Sequence, residues 1–263
     1  MTIGILGYGN MGSALAAGLL REQPEVKIAI AESVPARRRW AVQQHDAIDC
    51  GSDIGALCES ADVIVLAVPP DQLSSVGPSL AQHLGEKPVI SLLGYVTLSR
   101  LSTVLSTQNV CRFMPNIAAR VGEALVGIAY TEAPSETLIK AANDLANAIG
   151  RPMTLPERLI PAINGLSGSG IAFLLKFIHG ACLGAVETGM RYEDALTAML
   201  QVLRGTAELI DETGEHPIEL VSKVATPNGS TIAGIHELDL HGFEGVVESG
   251  VVASALRAGN SEH

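Results

Sequence analysis

Aromatic residues are scarce in this chain of 263 residues, at 3% of the total. So few rings argue against a protein that works by stacking on bases or sugars. Charged residues are also few, at 17%, and the acidic ones prevail, which gives a formal net charge of −11. An excess of negative charge argues against nucleic acid and anionic membranes as partners. A small anionic substrate remains compatible, because the field inside a site is local.

Paired cysteines and histidines are also missing. No C-x-x-C pair occurs among the four widely spaced cysteines, which are Cys50, Cys58, Cys111 and Cys182. Such spacing favours free thiols in a reducing compartment. His236 and His241 are five residues apart, which differs from the i, i+4 spacing of two ligands on one helix face. We therefore expect no metal site.

A targeting or membrane segment is not evident either. No basic leader precedes the first apolar run, at 2–7, and no cleavage site follows it. The longest apolar stretch, 170–186, contains Lys176 and is shorter than the roughly 20 residues that span a bilayer. We expect a cytoplasmic protein without a membrane partner.

What the chain has in abundance is small aliphatic residues, with 47% hydrophobic residues and 27 glycines. Its length allows one large domain or two smaller ones. Helical spacing separates a series of strand-like runs, which are 2–7, 26–31, 61–68, 87–93, 109–115 and 123–132. The run at 61–68 is apolar throughout, as in strands buried on both faces of a parallel sheet. This alternation predicts an α/β fold with a doubly wound parallel sheet of the Rossmann type.

After residue 155 the pattern becomes helical throughout. Helical periodicity covers the ranges 160–189, 192–213, 216–224, 230–240 and 243–257. We therefore predict a dinucleotide-binding Rossmann domain over 1–155 and an all-helical domain over 156–263 that carries the substrate.

The strongest local motif is a glycine-rich turn between the first strand and the first helix. Gly7, Gly9 and Gly12 form G-x-G-x-x-G in this context, which is the one that dinucleotide binding requires. Gly7 permits the tight turn, Gly9 lets the backbone approach a pyrophosphate, and Gly12 lets the helix lie close to the strand. The phosphates then meet the helix N-terminus.

Residues at the end of the second strand bear on the choice of cofactor. Glu32 lies twenty residues past Gly12, where a carboxylate that binds the ribose of NAD is expected. Ser33 and the arginines at 37–39 follow at once, and a guanidinium there could hold the 2′-phosphate of NADP. The pattern favours NADH and leaves NADPH open.

Two further strand ends are expected at the same edge of the sheet. The stretch "VLAVPPDQL" (65–73) ends in small and proline residues, where a nicotinamide cofactor would lie. In "CRFMPN" (111–116), Asn116 could bond the nicotinamide carboxamide or the substrate. The residues expected to contact the cofactor are Gly7, Gly9, Asn10, Met11, Gly12, Glu32, Ser33, Ala67, Val68, Pro69, Met114 and Asn116.

Two stretches of the helical half are candidates for the substrate. "NGLSGSGIAFLLKF" (164–177) places glycines on both sides of Ser169 in a helical pattern, where glycine is unfavourable unless something packs closely. "ATPNGSTIAGIHELD" (225–239) combines a Pro-Asn-Gly turn with a Ser/Thr helix start. That start either caps the helix or holds a small anion on its free N–H groups.

Taken in order, "GYGNMG", "AVPPDQ", "RFMPN", "LSGSG", "HPIEL" and "ATPNGSTIAG" followed by "LD" make the chain resemble the pyrroline-5-carboxylate reductases over almost its whole length. The resemblance implies NAD(P)H-dependent reduction of Δ1-pyrroline-5-carboxylate to L-proline, the last step of proline biosynthesis. It also implies a homodimer built through the C-terminal helices, which assembles further, with the substrate where two chains meet.

The resemblance assigns roles to the turn at 225–231. It implies that the N–H groups of Gly229, Ser230 and Thr231 hold the substrate carboxylate, and that the catalytic Thr231 hydroxyl bonds the ring nitrogen. Asn116 and Ser169 complete the expected substrate contacts.

The chain departs from the family pattern at several positions. They are Pro69, Ile171, Phe173, Asn228 and "SLLGY" at 91–95. A related cyclic imino acid is therefore an alternative substrate. A β-hydroxyacid dehydrogenase and a non-catalytic NAD(P) sensor are further alternatives.

Overall fold

A computed structural model describes residues 1–259 of the chain. Eight strands form one sheet: β1 (Thr2–Leu6), β2 (Lys27–Ala31), β3 (Ile48–Asp49), β4 (Val63–Leu66), β5 (Val89–Ser91), β6 (Val110–Met114), β7 (Ala124–Tyr130) and β8 (Gly150–Thr154).

Helices separate most of these strands and make up most of the chain after β8. They are α1 (Asn10–Glu22), α2 (Pro35–His45), α3 (Ile54–Ser60), α4 (Leu73–Leu84), α5 (Leu98–Leu105), α6 (Glu136–Ile149), α7 (Ile160–Ile163), α8 (Gly170–Glu187), α9 (Tyr192–Thr213), α10 (Pro217–Val224), α11 (Ser230–Leu240) and α12 (Phe243–Gly259). Short 3₁₀ turns occur at Pro70–Gln72, Ile117–Val121 and Glu157–Leu159.

The strand order is β3-β2-β1-β4-β5-β6-β7-β8. All neighbouring strands are parallel except β6 and β7, which are antiparallel. The chain reverses direction across the sheet between β3 and β4, and crevices at such switch points are where doubly wound folds bind ligands. The predicted fold class, a mostly parallel Rossmann sheet followed by a helical region, is confirmed.

Both faces of the sheet are buried, which explains the uninterrupted apolar strands. Ile3 and Ile5 of β1 point into a core that also contains residues of α1 and α6. Leu6 and Ile64 belong to a second core on the other face, with residues of α3, α4 and α5. Alternate residues of one strand therefore enter opposite cores, and most strand positions are apolar.

Three elements differ from the sequence prediction. The strand β3 and the helix α3 were not predicted. The two residues of β3 are both exposed and carry no apolar pattern. The strand β8 was not predicted either. It contains Pro152 and is an edge strand, the position in a sheet that tolerates proline.

The helical range predicted at 160–189 is interrupted. A π-helical turn at Asn164–Gly168 separates α7 from α8. The helical segment Glu157–Glu187 is long and apolar enough to cross a membrane by length and composition alone. The apolar stretch at 170–186 is therefore part of a longer apolar helical segment than the sequence indicates. Its length alone does not exclude a membrane-spanning helix.

The described chain forms two compact units. One comprises Met1–Gly168 with the end of α12 from Ser254, and the other comprises Ser169–Ala253. The division into domains at residues 155 and 156 stays a prediction, because compactness within one chain does not show where independent domains begin.

Candidate active site

The glycine-rich turn connects β1 to α1 in the first unit. Gly7 has a φ of +93°, and a Cβ there would lie 2.9 Å from backbone atoms of Ala67 at the end of β4. A Cβ on Gly12 would lie 2.5 Å from the carbonyl oxygen of Gly7, so that helix α1 could not approach the turn. A Cβ on Gly9, in contrast, would meet no atom of the described residues within 4 Å. The turn is thus tight at Gly7 and Gly12 and open at Gly9.

A cavity of about 630 Å³ opens in front of this turn, within the usual size range of ligand sites. Nine of the twelve residues expected to contact a cofactor line it: Gly7, Gly9, Asn10, Met11, Glu32, Ser33, Ala67, Val68 and Pro69. They come from the carboxyl ends of β1, β2 and β4, which are adjacent in the sheet. Gly12 is buried behind the turn, and Met114 and Asn116 at the end of β6 are not among the lining residues.

Glu32 is the acidic residue of the cavity wall, and its side chain is almost completely buried. One carboxylate oxygen accepts from the N–H of Tyr8 at 2.8 Å, and the other accepts from the N–H of Val34 at 2.8 Å and the Ser33 hydroxyl at 3.2 Å. Burial by itself raises the pKa of Glu32, but these bonds and the charge of Arg37 outweigh it, and the pKa is lowered. The carboxylate is therefore charged at neutral pH.

The three consecutive arginines after β2 have different roles. Arg37 lines the cavity, with its guanidinium 3.5 Å from the carboxylate of Glu32. Arg38 donates to the carbonyl oxygen of Glu32 at 2.7 Å and forms an ion pair with Asp49 at 3.4 Å. Arg39 is exposed and is not among the lining residues. Of the three, Arg37 is the one placed to meet a ligand.

Tyr8, the first variable residue of the glycine motif, ties the turn to helix α2. Its hydroxyl forms a hydrogen bond with Nδ1 of His45, and burial raises the pKa of the phenol. The ring of His45 packs edge-on against Trp40, with centroids 5.1 Å apart. The hydrogen bond between Tyr8 and His45 helps to hold Tyr8 in place, with its backbone N–H in front of Glu32.

Asn116, at the end of β6, has partners within the first unit. Its amide group donates to the carbonyl oxygen of Ser167 at 3.4 Å and to the Ser167 hydroxyl at 3.3 Å. Its side-chain oxygen accepts from the N–H of Ala118 at 3.1 Å and begins the 3₁₀ turn there. With 8% exposure, the side chain positions the segment around Ser167.

Ser169 immediately precedes helix α8, and its carbonyl oxygen accepts from the N–H of Ala172 at 2.9 Å. The neighbouring glycines differ. A Cβ on Gly168 would lie 2.7 Å from the amide oxygen of Asn164, whereas one on Gly170 would meet no described atom within 4 Å. Packing explains Gly168 but not Gly170.

The turn before α11 belongs to the second unit. Asn228 adopts a left-handed φ of 61°, and Gly229 precedes the helix without any side-chain cap. The first N–H groups of α11 therefore have neither an intrahelical partner nor a side-chain cap. Ser230 is exposed and Thr231 is half-buried. An uncapped helix N-terminus of this kind attracts a carboxylate or phosphate.

Half of the lining residues were not among the twelve expected cofactor contacts, although Arg37 was considered as a possible partner of a 2′-phosphate. The additional lining residues are Leu6, Ala31, Val34, Arg37, Ser52, Ile54, Gln72, Val76 and Leu92. Ser52 and Ile54 follow β3, which carries no sequence signal, whereas Gln72 lies in the recognised "VLAVPPDQL" stretch. Within residues 1–259, no three metal-ligating side chains come together.

Comparison with protein families finds two matches. Residues 157–261 match the family model described as pyrroline-5-carboxylate reductase dimerisation. Residues 2–95 match the model described as NADP oxidoreductase, coenzyme F420-dependent. The two matches fall on the helical half and on the glycine-rich half of the sheet.

Individual relatives are similar over nearly the full length. The chain is 37% identical to a pyrroline-5-carboxylate reductase of Methanosarcina acetivorans, covering 97% of this chain and 96% of the relative. It is 32% identical to one of Aquifex aeolicus, covering 94% and 92%. Among solved structures, the Plasmodium falciparum pyrroline carboxylate reductase with NADP bound has a TM-score of 0.88 at 25% identity, covering 98% and 97%.

Proposed function

Because the chain belongs to the pyrroline-5-carboxylate reductase family and reduces the C=N bond of Δ1-pyrroline-5-carboxylate to L-proline in proline biosynthesis, we propose that it prefers NADH to NADPH as the hydride donor. The observation that carries the activity is the similarity to curated reductases along nearly the whole chain. A nicotinamide cofactor fits the residues present, since the open side of Gly9 leaves room for a pyrophosphate.

The preference for NADH rests on Glu32. Its charged carboxylate lies in the cavity wall at the end of β2, where it can accept from ribose hydroxyls and repel a 2′-phosphate. Arg37 is the residue that would favour NADPH, but its charge is already partly compensated by Glu32 at 3.5 Å. Because the Plasmodium relative has NADP bound, a preference for NADPH is the alternative that has to be tested.

In the catalytic step, the chain has chiefly to align the reactants. The bound cofactor supplies a hydride from C4 of its nicotinamide to the electrophilic imine carbon. Because this carbon is already activated, no general base with a perturbed pKa is required. We propose that the Thr231 hydroxyl bonds the ring nitrogen and orients the proton that remains there.

Substrate binding is proposed at the uncapped start of α11. The N–H groups of Gly229, Ser230 and Thr231 would hold the substrate carboxylate, supported for Ser230 and Thr231 by the missing side-chain cap and the helix dipole. The N–H of Gly229 donates to the carbonyl oxygen of Thr226 at 3.0 Å and would have to be shared with the carboxylate. Asn116 and Ser169 are proposed as further contacts. Asn116 could act directly, or through Ser167, to which it is hydrogen-bonded.

The chain forms a homo-oligomer, as its dimerisation region indicates. We propose that a dimer is the smallest active unit, with 1–155 binding the dinucleotide and 156–263 binding the substrate and the second copy. The apolar faces of Glu157–Glu187 would then be covered by a second copy of the chain and not by lipid. We further propose a cytoplasmic location without nucleic-acid partners, consistent with the net charge of −11.

Steady-state kinetics tests these proposals. Pyrroline-5-carboxylate, pyrroline-2-carboxylate and piperideine-6-carboxylate are each assayed with NADH and NADPH, with 3-hydroxy acids and NAD as a control. We expect the highest kcat/KM for pyrroline-5-carboxylate with NADH and no oxidation of the 3-hydroxy acids. A higher kcat/KM with NADPH would contradict the cofactor proposal, and a preference for another imine would contradict the assigned substrate.

A further inference from the structure

Tyr95 has a backbone conformation that aromatic residues rarely adopt. It lies between β5 and α5 with a φ of 66°, in the left-handed region where a Cβ clashes with the following carbonyl. The other non-glycine residues with positive φ in residues 1–259 are Asp46, Ser106 and Asn228. Asp46 and Ser106 end helices, and Asn228 has a short polar side chain that tolerates this conformation. Tyr95 has neither explanation.

The Tyr95 side chain contributes little to the stability of the fold that could offset this strain. It is 46% exposed, and within residues 1–259 it makes no hydrogen bond or ring contact. A glycine would adopt the same backbone without strain. Strained residues that the fold does not need cluster at ligand sites, which motivates a functional explanation.

The position of Tyr95 in the sheet indicates which ligand it meets. The segment at 92–97 leaves the carboxyl end of β5, which lies between β4 and β6. Leu92, at its start, lines the dinucleotide cavity. Glu32 marks the adenosine half of that cavity at β2, so the half toward β5 and β6 is the one left for the nicotinamide.

We propose that Tyr95 is a specificity-determining residue whose aromatic ring forms a wall at the nicotinamide end of the site and contacts the ring of the cyclic imino acid. This inference rests on the proposed function. A wall of this kind favours a five-membered imine over a six-membered one, since one extra methylene in a shaped apolar site changes kcat/KM by roughly 10- to 200-fold.

The test compares Tyr95→Gly with Ser106→Gly. Both changes relieve a left-handed backbone, and neither residue is among those lining the cavity. Tyr95 follows the carboxyl end of β5, whereas Ser106 ends α5 and precedes the amino end of the parallel strand β6, at the opposite edge of the sheet. Each glycine is expected to leave the Tm unchanged or to raise it by roughly 2–4 °C. Tyr95→Gly should lower kcat/KM for pyrroline-5-carboxylate about tenfold and raise the relative rate with piperideine-6-carboxylate. NADH affinity by fluorescence titration should not change, and Ser106→Gly should keep wild-type kinetics.

Tyr95→Phe separates the ring from the hydroxyl. The proposal expects wild-type kcat/KM and selectivity from Phe, and a Phe variant as impaired as Gly overturns it. A Tyr95→Gly variant with unchanged kinetics for both imines, or with a lowered Tm, overturns it as well. A wild-type chain that reduces no cyclic imine overturns the proposed function itself, so the two failures are distinguishable.

Discussion

The carboxylate of Glu32 accepts a hydrogen bond from the backbone N–H of Tyr8 at 2.8 Å, which joins the end of β2 to the glycine-rich turn. One side chain therefore shapes the phosphate-binding loop and provides the negative charge of the cavity. Changes at Glu32 should affect both the choice of cofactor and the stability of the fold.

Replacing Glu32 by serine should shift the cofactor preference toward NADPH. Loss of the carboxylate removes the repulsion of a 2′-phosphate and frees the Arg37 guanidinium, which lies 3.5 Å from it. We expect the ratio of kcat/KM with NADPH to that with NADH to rise about tenfold or more. An unchanged ratio would indicate that Arg37, and not Glu32, selects the cofactor. Arg37→Ala and Arg39→Ala form the matched pair for that case, since only Arg37 lines the cavity.

Glu32 should also contribute to the pH dependence of stability. Its pKa in the folded state lies below the ordinary value of 4.5, so its contribution is present above pH 4.5 and is lost as the pH falls through the folded-state pKa. Glu32→Gln should therefore be less stable than the wild type at pH 7, with a difference that narrows toward pH 3. Denaturant unfolding at a series of pH values measures this, and a difference that is constant with pH would show that the charge is irrelevant.

Thr231→Ala should impair turnover while leaving cofactor affinity nearly unchanged. A hydroxyl that bonds a charged reacting group contributes about 1.5–3 kcal/mol, or roughly ten- to a hundredfold in kcat/KM. Thr231→Ser retains the hydroxyl and should lose far less. Ser230→Ala is the control, because only the N–H of Ser230 is invoked. Normal turnover in Thr231→Ala with failure of Ser230→Ala would shift the role by one residue.

A charge on the apolar helices should weaken association of the chain. Val246 in α12 and Val121 in the 3₁₀ turn after β6 are similarly exposed, at 67% and 69%. The dimerisation match covers Val246 and not Val121. We expect Val246→Glu to increase the monomer fraction in sedimentation velocity, with loss of activity, and Val121→Glu to sediment as the wild type. An active wild-type monomer at assay concentration would refute the obligate dimer.

Local signals explain why much of the fold could be predicted. The apolar run at 61–68 corresponds to β4, and the run at 2–7 corresponds to β1, because both strands bury a regular set of side chains. The strand β3 has two exposed residues and forms only because β2 lies beside it. The strand β8 contains a proline that its edge position tolerates. Neither strand has a periodicity that a sequence can show.

The glycine-rich turn, the strand–helix alternation, the family and the hydroxyl-bearing turn at 229–231 can all be recognised in the amino-acid sequence, since each depends on residue types at short, fixed spacing. Contacts between distant residues are established only by the folded chain. Tyr8 donates to Glu32, Asn116 to Ser167, and Arg112 to Glu157 at 3.0 Å, across 24, 51 and 45 residues of chain. Such pairings follow from strand order and helix packing and not from local spacing, so only the folded chain fixes them.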